Sequence, residues 1–77
     1  MGIQAKAQTV ANEENIKKTQ VEETAIGVAM VVVFDVNEQE ALQIGGRMAC
    51  TAGRIGAHVT RMSRHESEGY LRIYLAD

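Results

Sequence analysis

The sequence predicts an α+β fold, an antiparallel sheet of three or four strands with one amphipathic helix packed on one face, in β-α-β-β order. Three observations carry this. Residues 25–36 form an unbroken apolar run rich in valine. Residues 38–55 repeat apolar side chains at helical spacing, and residues 57–76 are two alternating segments joined by a polar turn from His65 to Gly69.

The first 24 residues are polar, rich in Ala, Gln, Glu, Lys and Thr, and read as an N-terminal arm or loosely packed helix, set apart from a domain over residues 25–77. Glu13 with Lys17 and Glu14 with Lys18 have the spacing and order of helix-stabilising pairs, and Asn12 suits the N-cap of that helix. A strand at residues 3–10 is a second option.

Residues 25–36 read as a strand covered on both faces, because neither alternate set is polar. Ile26, Val28, Met30, Val32, Phe34 and Val36 make a face of large residues; Ala25, Gly27, Ala29, Val31 and Val33 make one of small residues. A helix follows. Asn37 is placed to cap it, Glu40 completes a capping box, and Glu38 suits the positive end of the helix dipole. Its apolar arc contains Ala41, Leu42, Ile44, Gly45, Met48, Ala49, Ala52 and Ile55, and its polar arc contains Glu40, Gln43, Arg47, Cys50, Thr51 and Arg54. Gly45 and Ala49 near the middle of that arc predict a close approach to the large face of the strand, and Gly53 is a candidate C-terminal cap. In the hairpin, Leu71, Ile73 and Leu75 point one way and Tyr70, Arg72 and Tyr74 the other, with His58, Thr60, Met62 and Arg64 expected beside the tyrosines.

The β-α-β-β order is half of a ferredoxin-like or small-ligand regulatory arrangement, and the other half is missing unless residues 1–24 supply a strand or helix. One helix leaves one sheet face bare. The small-residue face, with Met62, Tyr70 and Tyr74, is expected to be that face and to be too apolar for water. Self-association through Ala29, Val31, Val33 and Met62 follows as an expectation. The size points the same way. A domain of this length buries only ~60% of its unfolded surface and usually needs a staple. One cysteine, Cys50, precludes an internal disulfide, and His58 and His65 have no second cysteine with which to hold zinc. The single thiol and the lack of a leader-like or membrane-length apolar stretch fit a cytoplasmic protein.

The sequence offers no catalytic constellation and no metal or cofactor motif. Cys50 and His58 have no spacing that would pair them, Gly45-Gly46-Arg47 lacks a phosphate-loop lysine, and the paired carboxylates Glu13/Glu14, Glu22/Glu23 and Glu66/Glu68 fall in solvated stretches. The charge pattern is more informative. The net charge is −2, yet all three lysines precede residue 41 and all five arginines follow it. Such a split marks either an anionic partner or two halves of one chain attracting each other.

Arg47, Arg54, Arg61, Arg64, Tyr70, Arg72 and Tyr74 are the candidate partner-binding residues. The expected function is a small non-enzymatic protein–protein interaction module, self-associating through its sheet and presenting an arginine-rich helix and hairpin to an acidic protein surface, in the style of phage-encoded inhibitors that block a host complex. A nucleic-acid-binding module using Arg47, Arg54, Arg61, Arg64 and Arg72 with Tyr70 and Tyr74 is the alternative, and a small-ligand regulatory domain of ferredoxin-like half-fold is a third.

Overall fold

Ile3, Ala7, Val10 and Ala11 recur at the spacing of one helix side, and in the computed structural model, which describes residues 2–77, they are the buried side of helix α1 (Ile3–Ala11). Nine residues are too few to hold a helix in water alone. Packing holds this one, because all four side chains join the main hydrophobic core. Asn12 is its C-cap and not the N-cap of a later helix. Residues 12–18 form a connection, so the expected Glu13–Lys17 and Glu14–Lys18 helix pairs do not exist. The chain then enters strand β1 (Thr19–Ala25), turns through Ile26 and Gly27, and returns as strand β2 (Val28–Phe34). Gly27 has φ +77°, a left-handed value that side chains disfavour.

Helix α2 (Glu38–Arg54) begins with the expected capping box: the Asn37 side chain accepts from the Glu40 amide at 2.8 Å, and Glu40 accepts from the Asn37 amide at 3.1 Å. Its C-terminus is closed one turn later than Gly53, by Gly56 at φ +81° and by the Ala57 amide donating to the Ala52 carbonyl at 2.9 Å. Strands β3 (His58–His65) and β4 (Tyr70–Ala76) form the predicted hairpin, with the Gly69 amide donating to the His65 carbonyl.

The four strands run antiparallel in the order β1-β2-β4-β3. Read cyclically from β2, the elements follow β-α-β-β-α-β, the order of the ferredoxin-like arrangement. Residues 3–25 therefore supply the half that residues 25–77 lack. Helix α1 meets the residue that follows β4, with Lys6 Nζ 2.5 Å from the Asp77 carboxylate.

Both helices lie on the same side of the sheet. Ala29, Val31 and Val33 pair across with Leu71, Ile73 and Leu75 as Ala29–Leu75, Val31–Ile73 and Val33–Leu71, and all six join the core beneath α1 and α2. This corrects the expected face. The small side chains of β2 point toward the helices, where two helix backbones need room, and the large ones point away. Ala29, Val31 and Val33 are fully buried within one chain and present nothing to a second. The arc of α2 is also turned from expectation: Leu42 is 77% exposed while Thr51 is 4% exposed. The cause is α1, which packs beside α2 and covers a flank that a single-helix fold would leave in water.

Candidate functional site: the uncovered face of the sheet

The face of the sheet turned away from the helices is built by strand register. Glu22, Met30, Tyr74 and Arg61 form one row across β1, β2, β4 and β3. Gln20, Val32, Arg72 and Ser63 form the next, and Phe34, Tyr70 and His65 continue below, with Lys18 at the β1 end. Val28, Ala76 and His58 close the other end. The interior columns are apolar or aromatic, with Arg72 among them, and the outer columns are polar or charged.

Position on this face depends on one irregularity. β3 carries a register shift between Val59 and Arg61 that leaves Thr60 as an extra residue. Beyond it the alternation changes phase. Arg61, Ser63 and His65 pair with Tyr74, Arg72 and Tyr70, while Met62 and Arg64 pair with Ile73 and Leu71 on the helix side. Met62 and Arg64 are thus not beside the tyrosines. Met62 lies under α2, where a Cβ added at Gly45 would stand 2.7 Å from its Sδ. This is the close approach that the glycine permits, made to β3 and not to β2. Arg64 contacts Glu66 at 3.6 Å, and its Nε is buried without a hydrogen-bond partner among the described residues.

The seven candidate partner-binding residues consequently divide between opposite sides of the molecule. Arg61, Tyr70, Arg72 and Tyr74 come together on the uncovered face. Arg47, Arg54 and Arg64 do not join them. Arg47 Nη2 donates to Glu14 Oε2 at 3.1 Å, and Arg54 approaches Glu13 at 4.0 Å and donates to Thr51 Oγ1 at 3.0 Å. Lys17 meets Glu40 at 2.9 Å. The contacts of Arg47 with Glu14 and of Arg54 with Glu13 cross between the lysine-bearing and arginine-bearing parts of the chain, so part of the charge split serves internal attraction. The Glu14 side chain is only 3% exposed. Burial pushes its carboxyl up, but the amides of Ile16 and Lys17 and the Arg47 guanidinium outweigh burial and hold it below its ordinary value. Glu40 is lowered as well, by the Lys17 ammonium and the Asn37 amide.

On the open face the rings are already engaged by their own chain. The His65 ring stacks on Tyr70 at 4.7 Å between centroids, and Phe34 meets Tyr70 at 6.4 Å in a tilted arrangement. Arg72 lies 5.0 Å from the Tyr70 centroid and donates to its hydroxyl at 2.8 Å, Arg61 lies 5.4 Å from the Tyr74 centroid, and Lys18 lies 5.8 Å from that of Phe34. Each cation–π contact contributes about 0.5–1 kcal/mol at an exposed site and fixes the side chain over the ring. The result is a flat, ordered platform. Phe34 and His65 belong to it and were absent from the candidate residues. Phe34 could have been found by placing the large face of β2 outward, and His65 by pairing the two residues that flank the turn, because His65 stands directly opposite Tyr70.

Among the described residues no group of three or more His, Cys, Asp or Glu side chains is placed to share a metal ion, and no helix is long and apolar enough to cross a membrane. No protein-family model matches the chain, and no curated protein matches it.

Proposed function

We propose that this protein is a small non-enzymatic interaction module whose contact surface is the uncovered sheet face, and that its first partner is a second copy of itself. One observation carries the reading: both helices pack on one side, leaving Val28, Met30, Phe34, Tyr70 and Tyr74, around a Val32 that is already covered by its neighbours, as an apolar and aromatic centre on the other. Large apolar faces rimmed by polar groups mark interaction sites, and tyrosine and arginine are enriched where protein interfaces hold most tightly. Four strands spaced ~4.8 Å apart and about seven residues long give a flat footprint of roughly 400 Å² per copy. That is small for an interface, so association is expected in the micromolar range.

Light scattering after size exclusion, run from low micromolar to several hundred micromolar, tests the reading. The native chain is expected to shift from monomer to dimer. Met30→Asp is expected to remain folded and monomeric, because Met30 is part of the open face and not of the core. A native chain that stays monomeric throughout overturns the proposal.

Single-stranded nucleic acid is the second reading, favoured by the gathering of Arg61, Arg72, Lys18 and three aromatic rings on one face. It ranks lower because the rings are covered by the chain's own cations and imidazole, and because β2 offers a base only aliphatic side chains and one ring. Binding of an oligonucleotide at physiological salt, with affinity falling steeply as salt rises and lost in Tyr70→Ala and Tyr74→Ala, would put this reading first.

A further inference from the structure

We infer that the two copies stack face to face about a two-fold axis running nearly along the strands, so that Glu22 of each copy meets Arg61 of the other; this rests on the reading that the open face self-associates. Glu22 lies on edge strand β1 and Arg61 on the opposite edge strand β3, at the two ends of one row through Met30 and Tyr74. Both side chains are exposed, and among the described residues neither forms an ion pair within the chain.

Two orientations of an in-plane two-fold axis are open to stacked sheets. An axis across the strands lays β1 on the partner's β1 and β3 on the partner's β3. It lays the two β1 edges, each carrying Lys18 and Glu22, on each other with their rows reversed, and sets the two β3 edges, each carrying Arg61 and His65 and no carboxylate, against each other. An axis along the strands lays β1 on the partner's β3 and β2 on the partner's β4. Each row then meets its own copy reversed: Glu22 faces Arg61, Met30 faces Tyr74 and Phe34 faces Tyr70. The aliphatic column of β2 lies on the aromatic column of β4, and the contact is made twice by symmetry. The second arrangement gives each Arg61 a carboxylate, whereas the first sets one arginine-bearing β3 edge on the other with no carboxylate between them, which selects the second. Stacked sheets lie ~10 Å apart with strands inclined at ~30°, so the axis departs from the strand direction by about 15°. A glutamate and an arginine reaching from opposite sides span that gap.

Charge reversal tests the pairing. Within one chain Glu22 and Arg61 are three strand spacings apart, ~14 Å, beyond the ~8–10 Å over which exposed charges act at physiological salt. Any compensation between them must therefore act between copies. Dimer dissociation constants are measured by analytical ultracentrifugation for the native chain, Glu22→Arg, Arg61→Glu and the double variant, with circular dichroism confirming that each is folded. Each single variant is expected to weaken the dimer at least about tenfold, and the double variant to return it to within a few-fold of native. Single variants that associate like the native chain, or a double variant weaker than both singles, overturn this axis while leaving face-mediated association standing. A native chain that does not dimerise overturns the association itself.

Discussion

Glu14→Ala is the most informative single change in the helix layer. One carboxylate oxygen accepts from the Ile16 amide at 2.8 Å and the Lys17 amide at 3.1 Å, and the other from Arg47 at 3.1 Å. The group therefore fixes the connection between α1 and β1 and ties both to α2. Removing it leaves two amides without an acceptor and releases Arg47, partly offset because a covered charge no longer has to be kept from water. Arg47 itself is 58% exposed, so its share is discounted for screening. The net cost is expected to be about 2–3 kcal/mol, equivalent to roughly 10–20 °C in melting temperature for a domain of this size. Arg47→Ala, which keeps both amide contacts, should cost under ~1 kcal/mol. Thermal and urea unfolding by circular dichroism measure both. A Glu14→Ala cost below ~0.5 kcal/mol, or an Arg47→Ala cost equal to it, would refute the argument that the amides dominate.

The pH dependence follows from the same group. Its folded-state value lies below the ordinary 4.5, so its contribution is complete above that value and is lost as pH falls through the lower one; Glu14→Gln should flatten this acid limb in a urea titration across pH. Val31→Asp should prevent folding altogether, since burying an unpaired carboxylate costs several kcal/mol, and a folded Val31→Asp chain would show that the helices do not cover that face. Gly45→Leu should cost about 1 kcal/mol by displacing the half-exposed Met62, and the cost should shrink in the Met62→Ala background; equal costs in both backgrounds would mean the leucine meets something else. Deleting Thr60 should be tolerated within ~1 kcal/mol, because Val59, Arg61, Met62, Ser63 and Arg64 then alternate without interruption; loss of the fold would show that the bulge is required.

Much of the fold is legible in the sequence where a residue type has one physical use. Asn37 and Glu40 can form a capping box only at a helix start, the turn from His65 to Gly69 separates two alternating segments, and Leu71, Ile73 and Leu75 face the core as their spacing requires. The remainder is hidden for definable reasons. β2 is apolar on both sides, so no polar residue marks its solvent side, and the placing of Ala29, Val31 and Val33 is decided by helices elsewhere in the chain. α1 is stabilised by Ala7 and Ala11, which fill a tight contact but carry little apolar signal. β1 is an edge strand whose only large apolar residue is Val21, so it reads as a polar tail. The bulge at Thr60 has no signature in composition, yet it is what lets Val59 face the core while Arg61, two residues on, stands by Tyr74.

That bulge has a counterpart. β1, on the far edge, has its own break in register between Glu23 and Ala25. Neither border of the sheet offers an uninterrupted ladder of amides and carbonyls, which is what an incoming strand must find in order to extend a sheet from molecule to molecule. Growth along the borders could continue without limit and end in fibres. Contact through a face is different: once two surfaces are pressed together, both are consumed, and the count stops at two.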